Sequence, residues 1–94
     1  MKYYDWDTEK NIRLEEERGI SFEEILACMQ DGGLLDIIDN PNKDKYPHQK
    51  TFVVLVRGYV YAVPFVEDES KYFLKTIIPS RELTKIYLVE GRKL

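Results

Sequence analysis

The sequence is poor in the residues that hold metals and cross-links, with one cysteine, Cys28, and one histidine, His48, in 94 residues. A lone cysteine excludes an intramolecular disulfide, which suits a reducing compartment. Cys28 and His48 together are too few for a four-ligand structural zinc site, so no metal and no cofactor is expected. Long apolar runs are lacking too. No stretch approaches the roughly 20 residues that cross a bilayer, and the opening residues have no signal-peptide pattern. With only five glycines and four prolines, no low-complexity or collagen-like segment is visible. What remains is 44% apolar and 33% charged, the composition of a single globular domain over residues 1–94 with a modest core. A cytoplasmic protein without membrane contact is the expectation.

Aromatic residues, by contrast, are plentiful: seven tyrosines, four phenylalanines and one tryptophan. Charge is present in both signs but unevenly spread, and the net value is −3. Residues 1–24 carry eight acidic and four basic side chains, residues 25–70 seven and four, and residues 71–94 two and six. An acidic chain with a basic last quarter predicts a local anion-facing patch rather than a general nucleic-acid binder. A solvated helix face would give the same asymmetry.

The periodicity predicts an α+β fold in the order ααββββα. Asp7 precedes TEKNIRLEEER and Gly19 follows it, which marks a helix over about 8–18 with Asp7 as N-cap. Ser21 and Glu24 form a capping box that opens a second helix to about Gln30. Its stripe Phe22, Ile25, Leu26 and Met29 should bury against Val53, Leu55, Val63 or their neighbours. LLDII (34–38) is a short strand, and a polar loop with two prolines follows over 39–49. KTFVVLV and YVYAVPFV flank Arg57-Gly58, a tight hairpin. Pro64 inside the second run implies an edge position or a bulge. A fourth strand over 71–78 completes an antiparallel four-stranded meander, and Ser80 caps a last helix to about Leu88.

The candidate site lies where that fourth strand meets the last helix. Strand alternation puts Phe73, Lys75 and Ile77 on one face, so Lys75 sits between apolar neighbours and needs solvent or an acid partner. Arg81 begins the helix, where a cation opposes the dipole, and Lys85 follows one turn on. Three small costs at one corner suggest an anion, with Ser80 and the free N–H groups of the helix start as further donors. Each residue also has a plainer reading. Arg81 could pair with Glu67, Asp68 or Glu69, Lys75 could form a salt bridge, and Lys85 could be a solvated helix residue. His48 could be an ordinary loop histidine. Tyr59, Tyr61 and Tyr87 could be half-buried anchors, Trp6 a plug of the first helix, and Cys28 a core thiol.

Two stretches resemble a known family. YDWDTEKNIRLEEERGISFEEI (4–25) resembles the opening of BrnT-type toxins: an aromatic, Trp-Asp, a Lys-Asn pair, then (His/Arg)-Gly-(Val/Ile)-Ser-Phe-Glu-Glu. LKTIIPSRELTKIY (74–87) resembles that family's closing stretch, where a strand bearing a cation meets a Ser-Arg helix that ends near a tyrosine. The resemblance implies a bacterial type II toxin of RelE-like fold that cleaves RNA. It further implies a ribbon-helix-helix antitoxin, with operator DNA bound only through the toxin–antitoxin complex. By position it implies Lys75, Arg81, Lys85 and Tyr87 as catalytic residues, and Ser80 at the corner; Arg57 and His48 complete the candidate substrate contacts. Arg18 stands where the family often has histidine, and Glu17 where it often has lysine. Glu82 and Ile86 make the last helix less basic than is common. Metal-free RNA cleavage uses the 2′-OH as internal nucleophile, so the protein has to move two protons and stabilise charge on phosphorus. A non-catalytic protein-binding module of the same fold is the alternative.

Overall fold

The computed structural model describes residues 2–39, 44–45 and 48–89. The chain opens with strand β1 (Tyr3–Trp6), helix α1 (Thr8–Arg18) and helix α2 (Phe22–Cys28), which runs into a π-helical turn at Met29–Gly33. Strands β2 (Leu34–Asp39), β3 (Gln49–Val56), β4 (Tyr59–Glu67), β5 (Lys71–Leu74) and β6 (Ile78–Pro79) follow, then α3 (Arg81–Thr84), which widens into a π-helical turn over Lys85–Val89.

Local signals place the first helices. The Asp7 carboxylate accepts from the Lys10 N–H at 3.0 Å, and Gly19 closes α1 at φ 67°, a conformation that glycine adopts without strain. The Ser21 hydroxyl accepts from the Glu24 N–H at 3.2 Å. Asn11 then joins the helices, accepting from the Phe22 N–H at 2.8 Å and donating to Glu23 at 2.7 Å. That hydrogen bond to Asn11 holds the Glu23 carboxyl below the usual carboxylate range.

The sheet has six strands rather than four. Its order is β1-β5-β4-β3-β2, with β6 also beside β4. β1 runs parallel to β5 and the other pairs are antiparallel, so the sheet is mixed. Trp6, expected as a plug of the first helix, lies within a strand and stacks on Phe22 of the second helix at 5.5 Å.

The expected strand over 71–78 is broken at 75–77, and Pro64 is the reason. The Lys75 N–H bonds to the Pro64 carbonyl at 2.8 Å, but proline has no N–H to return the bond, and the ladder stops. Pro64 therefore lies in an interior strand with its missing donor turned to the break, and a bulge does form opposite it: the register moves from Phe65 with Leu74 to Ala62 with Ile78, so residues 75–77 face only Val63 and Pro64. The break also changes the side-chain alternation: Leu74 and Ile77 are both fully buried, three residues apart.

The core forms between the helices and one face of the sheet. Leu14, Ile20, Phe22 and Ile25 pack with Phe52, Val54, Val56, Val63, Phe65, Leu74 and Ile77, while Leu26 and Met29 are half-buried against them. Val63 is a partner of α2 as expected. Val53 and Leu55 are not, because alternation puts Phe52, Val54 and Val56 on that face instead. Val53 and Val60 are buried on the other face, where α3 lies against β4.

Gly33 is held by close backbone approach. A Cβ there would stand 2.6 Å from the Cys28 carbonyl oxygen and 2.8 Å from that of Leu55, neither of which can move alone. Gly33→Ala is expected to destabilise the fold by about 1–3 kcal/mol, as overpacking does. Chemical denaturation of the two proteins measures it.

Candidate functional site

The corner predicted from the sequence is built on Val60. β6 pairs with β4 through Tyr61 with Pro79 and Ala62 with Ile78. The next residue continues the register: the Ser80 N–H donates to the Val60 carbonyl at 3.0 Å. The Val60 N–H donates to the Thr84 hydroxyl oxygen at 2.9 Å, and that hydroxyl donates to the Ser80 carbonyl at 2.7 Å. The Ser80 hydroxyl accepts from the Leu83 N–H at 3.1 Å, so its oxygen serves as the helix cap. Both backbone groups of Val60 are thus used to hold the first turn of α3 against the sheet edge.

Arg81 and Lys85 project from this turn into solvent, one turn apart. Neither has a carboxylate or hydrogen-bond partner among the described residues. Two of the acids expected as partners of Arg81 are engaged elsewhere. Glu67 binds Lys2, and Asp68 accepts from the N–H groups of Ser70 and Lys71, which hold its carboxyl below the usual range. α3 is only four residues long before it widens, so its dipole is small and the two cations carry the field of the corner.

The other sequence-predicted residues lie apart from this pair. Lys75 bonds to Pro64 while Ser80 bonds to Val60, four residues away along β4 and therefore about 13 Å at the backbone. The Lys75 ammonium lies 5.5 Å from the Phe73 ring, in a depression shared with Asp7, Glu9, Lys10 and Arg13 of the α1 end. Lys75, Arg81 and Lys85 accordingly do not converge on one point. His48 is exposed at the opposite end of the β3–β4 hairpin, near Lys50 and Glu67. Arg57 stands at the hairpin tip with φ 50° beside Gly58 with φ 79°, the two left-handed residues of a tight turn. Its guanidinium pairs with Glu24 and lies 3.4 Å from the Gly19 carbonyl, which ties the tip to the α1–α2 junction.

Tyr87 is closer to the corner but chemically committed. Its hydroxyl donates to Asp36 at 2.6 Å, tying the last turn to β2. Burial, and then the hydrogen bond and charge of Asp36, push its pKa up to about 12, so it remains a phenol at neutral pH and is a poor base. Three residues missed in the sequence complete the picture. Thr84 carries the knot with Val60, Asp36 receives Tyr87, and Arg18 donates to the Ile77 carbonyl at 2.8 Å just before the corner. Thr84 at i+4 from Ser80 was a readable signal; the other two contacts span 51 and 59 residues and left none.

No family model and no curated protein matches the chain. A search of solved structures matches the crystal structure of the Brucella abortus ribonuclease toxin BrnT, with a TM-score of 0.57 over 87% of this chain and 100% of that one. The fold is that of BrnT. At 12% identity the likeness is one of architecture. It agrees with the resemblance of residues 4–25 and 74–87 to BrnT-type toxins, the stretches that build α1, the start of α2 and the corner in this chain. No helix among the described residues is long and apolar enough to cross a membrane.

The Tyr87–Asp36 contact predicts a pH effect. Tyr87 has its ordinary value of 10.0 when unfolded and a raised one when folded, so its contribution is complete below pH 10 and is lost as pH rises towards 12. Melting temperatures of wild type and Tyr87→Phe, followed from pH 8 upward, should differ most at the lower pH and converge under alkaline conditions. A constant gap would show that the hydrogen-bonded proton is not what stabilises the turn.

Proposed function

We propose that this protein is the toxin of a type II toxin–antitoxin pair, a metal-independent endoribonuclease neutralised by a ribbon-helix-helix antitoxin that covers the basic corner. The observation that carries the proposal is the pair Arg81 and Lys85, exposed and without a partner among the described residues, at a hydrogen-bonded corner of a BrnT fold. Two like charges one helical turn apart repel, and an RNA phosphate would offset that cost.

In this reading Arg81 clamps the scissile phosphate in a bidentate manner and Lys85 adds charge as the phosphorane develops. The 2′-oxygen attacks phosphorus, the P–O5′ bond breaks, and a 2′,3′-cyclic phosphate and a 5′-hydroxyl result. The 2′-OH proton passes to solvent at this open corner, and the departing 5′-oxygen takes a proton from Lys85 or water. Lys75 contributes to the field along the RNA path rather than at the reacting phosphate, and Arg57 acts through the hairpin it fastens.

One observation favours the second reading, a non-catalytic binding module. Among the described residues the corner holds no group suited to act as base at neutral pH, since Tyr87 is committed to Asp36 and His48 lies at the far end of the hairpin. The two readings separate on Arg81. Arg81→Ala should lower RNA cleavage by a factor of about 10²–10³, the cost of one preorganised charge-stabilising donor, and Arg81→Lys should also impair it because an ammonium cannot chelate. Melting temperature should hold, since Arg81 supports no other described side chain. Wild-type protein that cuts no RNA, yet binds the product of a neighbouring gene tightly, establishes the binding module instead.

A further inference from the structure

The corner has an aromatic side that the cleavage chemistry does not use. Tyr59 and Tyr61 follow the Arg57-Gly58 turn on one face of β4, and their rings meet edge to face at 5.9 Å and 73°. Tyr61 packs against the core, whereas Tyr59 lies outside it and is half-exposed. The Tyr59 hydroxyl has no hydrogen-bond partner among the described residues, so the ring is not there to anchor a buried phenol. The space beside it is open: a Cβ on Gly58 would meet nothing within 4 Å.

The register brings this ring to the cations. Tyr61 is opposite Pro79 and the Ser80 N–H bonds to Val60, so Tyr59 and Arg81, the first residue of α3, are the chain neighbours of one bonded pair. Ser80 is still extended, at φ −128° and ψ 107°, so alternation sends Arg81 off on the tyrosine side as the helix begins. Paired strands lie about 5 Å apart, so one nucleotide can span this step with its base on Tyr59 and its phosphate on Arg81. A flat ring next to an unpaired guanidinium suits a ligand that is planar at one end and anionic at the other.

We propose that Tyr59, braced by Tyr61, is a stacking platform for one base of a single-stranded RNA whose phosphate Arg81 holds. The inference rests on the ribonuclease reading and adds to it a base-binding subsite. Stacking accepts every base but favours the larger purine surface, so a bias toward purines beside the held phosphate follows.

The test uses fluorescein-labelled 12-mers of 2′-O-methyl adenosine, 2′-O-methyl uridine and a base-free backbone, none of which can be cut through its 2′ position. Wild type should bind the adenosine oligomer more tightly than the uridine one, and the base-free one least, by roughly 5- to 150-fold for the loss of one stack. Tyr59→Phe should keep this order. Tyr59→Leu, which preserves a strand-compatible apolar side chain, should bind all three with nearly the same affinity. Equal wild-type affinity for the adenosine and base-free oligomers overturns the platform while leaving the phosphate site intact, whatever the folding of the variant. Wild type that binds none of the three overturns the ribonuclease reading and this inference with it.

Discussion

The structure depends on the way β4 spends its hydrogen bonds along one side. At Pro64 there is no N–H to give, so β5 ends after Leu74 and the chain jogs. Four residues earlier, Val60 gives its carbonyl to Ser80 and its N–H to Thr84. Between these points only the two-residue strand β6 fits, and the helix must start at the sheet edge. A single imino acid thus sets where the strand stops, and one valine backbone sets where the helix begins. Arg81 and Lys85 are exposed because the turn that carries them is fixed by groups other than their own side chains.

That division explains how a cationic corner survives in an acidic protein. Several acids have other work: Glu67 with Lys2, Asp68 with a backbone turn, Asp5 with Lys71, Asp36 with Tyr87. Glu24 closes on Arg57 and fastens the hairpin tip. Among the described residues, Arg81 and Lys85 are left exposed at the corner while these acids serve contacts of the fold. The BrnT fold supplies the same frame around very different residues, since identity with the Brucella toxin is 12%. Such divergence is expected when the frame rests on backbone bonds and apolar packing.

Much of the frame was legible because its signals are local. Asp7, Gly19, Ser21 and Ser80 each act within four residues of their own position, and all four caps form as read. The Arg57-Gly58 hairpin was legible for the same reason. β1 was hidden because YYDW pairs in parallel with a strand some 68 residues later, which leaves no mark on the local pattern. The face of β3 was left open between Val53 and Leu55 and their neighbours because FVVLV is apolar on both sides, and Val53 is buried on the face away from α2. The site was half-legible. Arg81 and Lys85 share a turn and could be paired by spacing, but Lys75 was joined to them by assuming a continuous strand that Pro64 forbids. Arg18 and Asp36 meet their partners only through tertiary contacts.

The central claim is that the cations at this corner hold RNA for attack by its own 2′-oxygen. The most direct measurement is the chemistry of the ends produced when the purified protein is incubated with end-labelled RNA in excess EDTA. The account predicts fragments ending in 2′,3′-cyclic phosphate, with 5′-hydroxyl on the downstream piece, and an uncut bond wherever the nucleotide is 2′-deoxy. Fragments bearing 5′-phosphate and 3′-hydroxyl, or RNA left intact by well-folded protein, would contradict it.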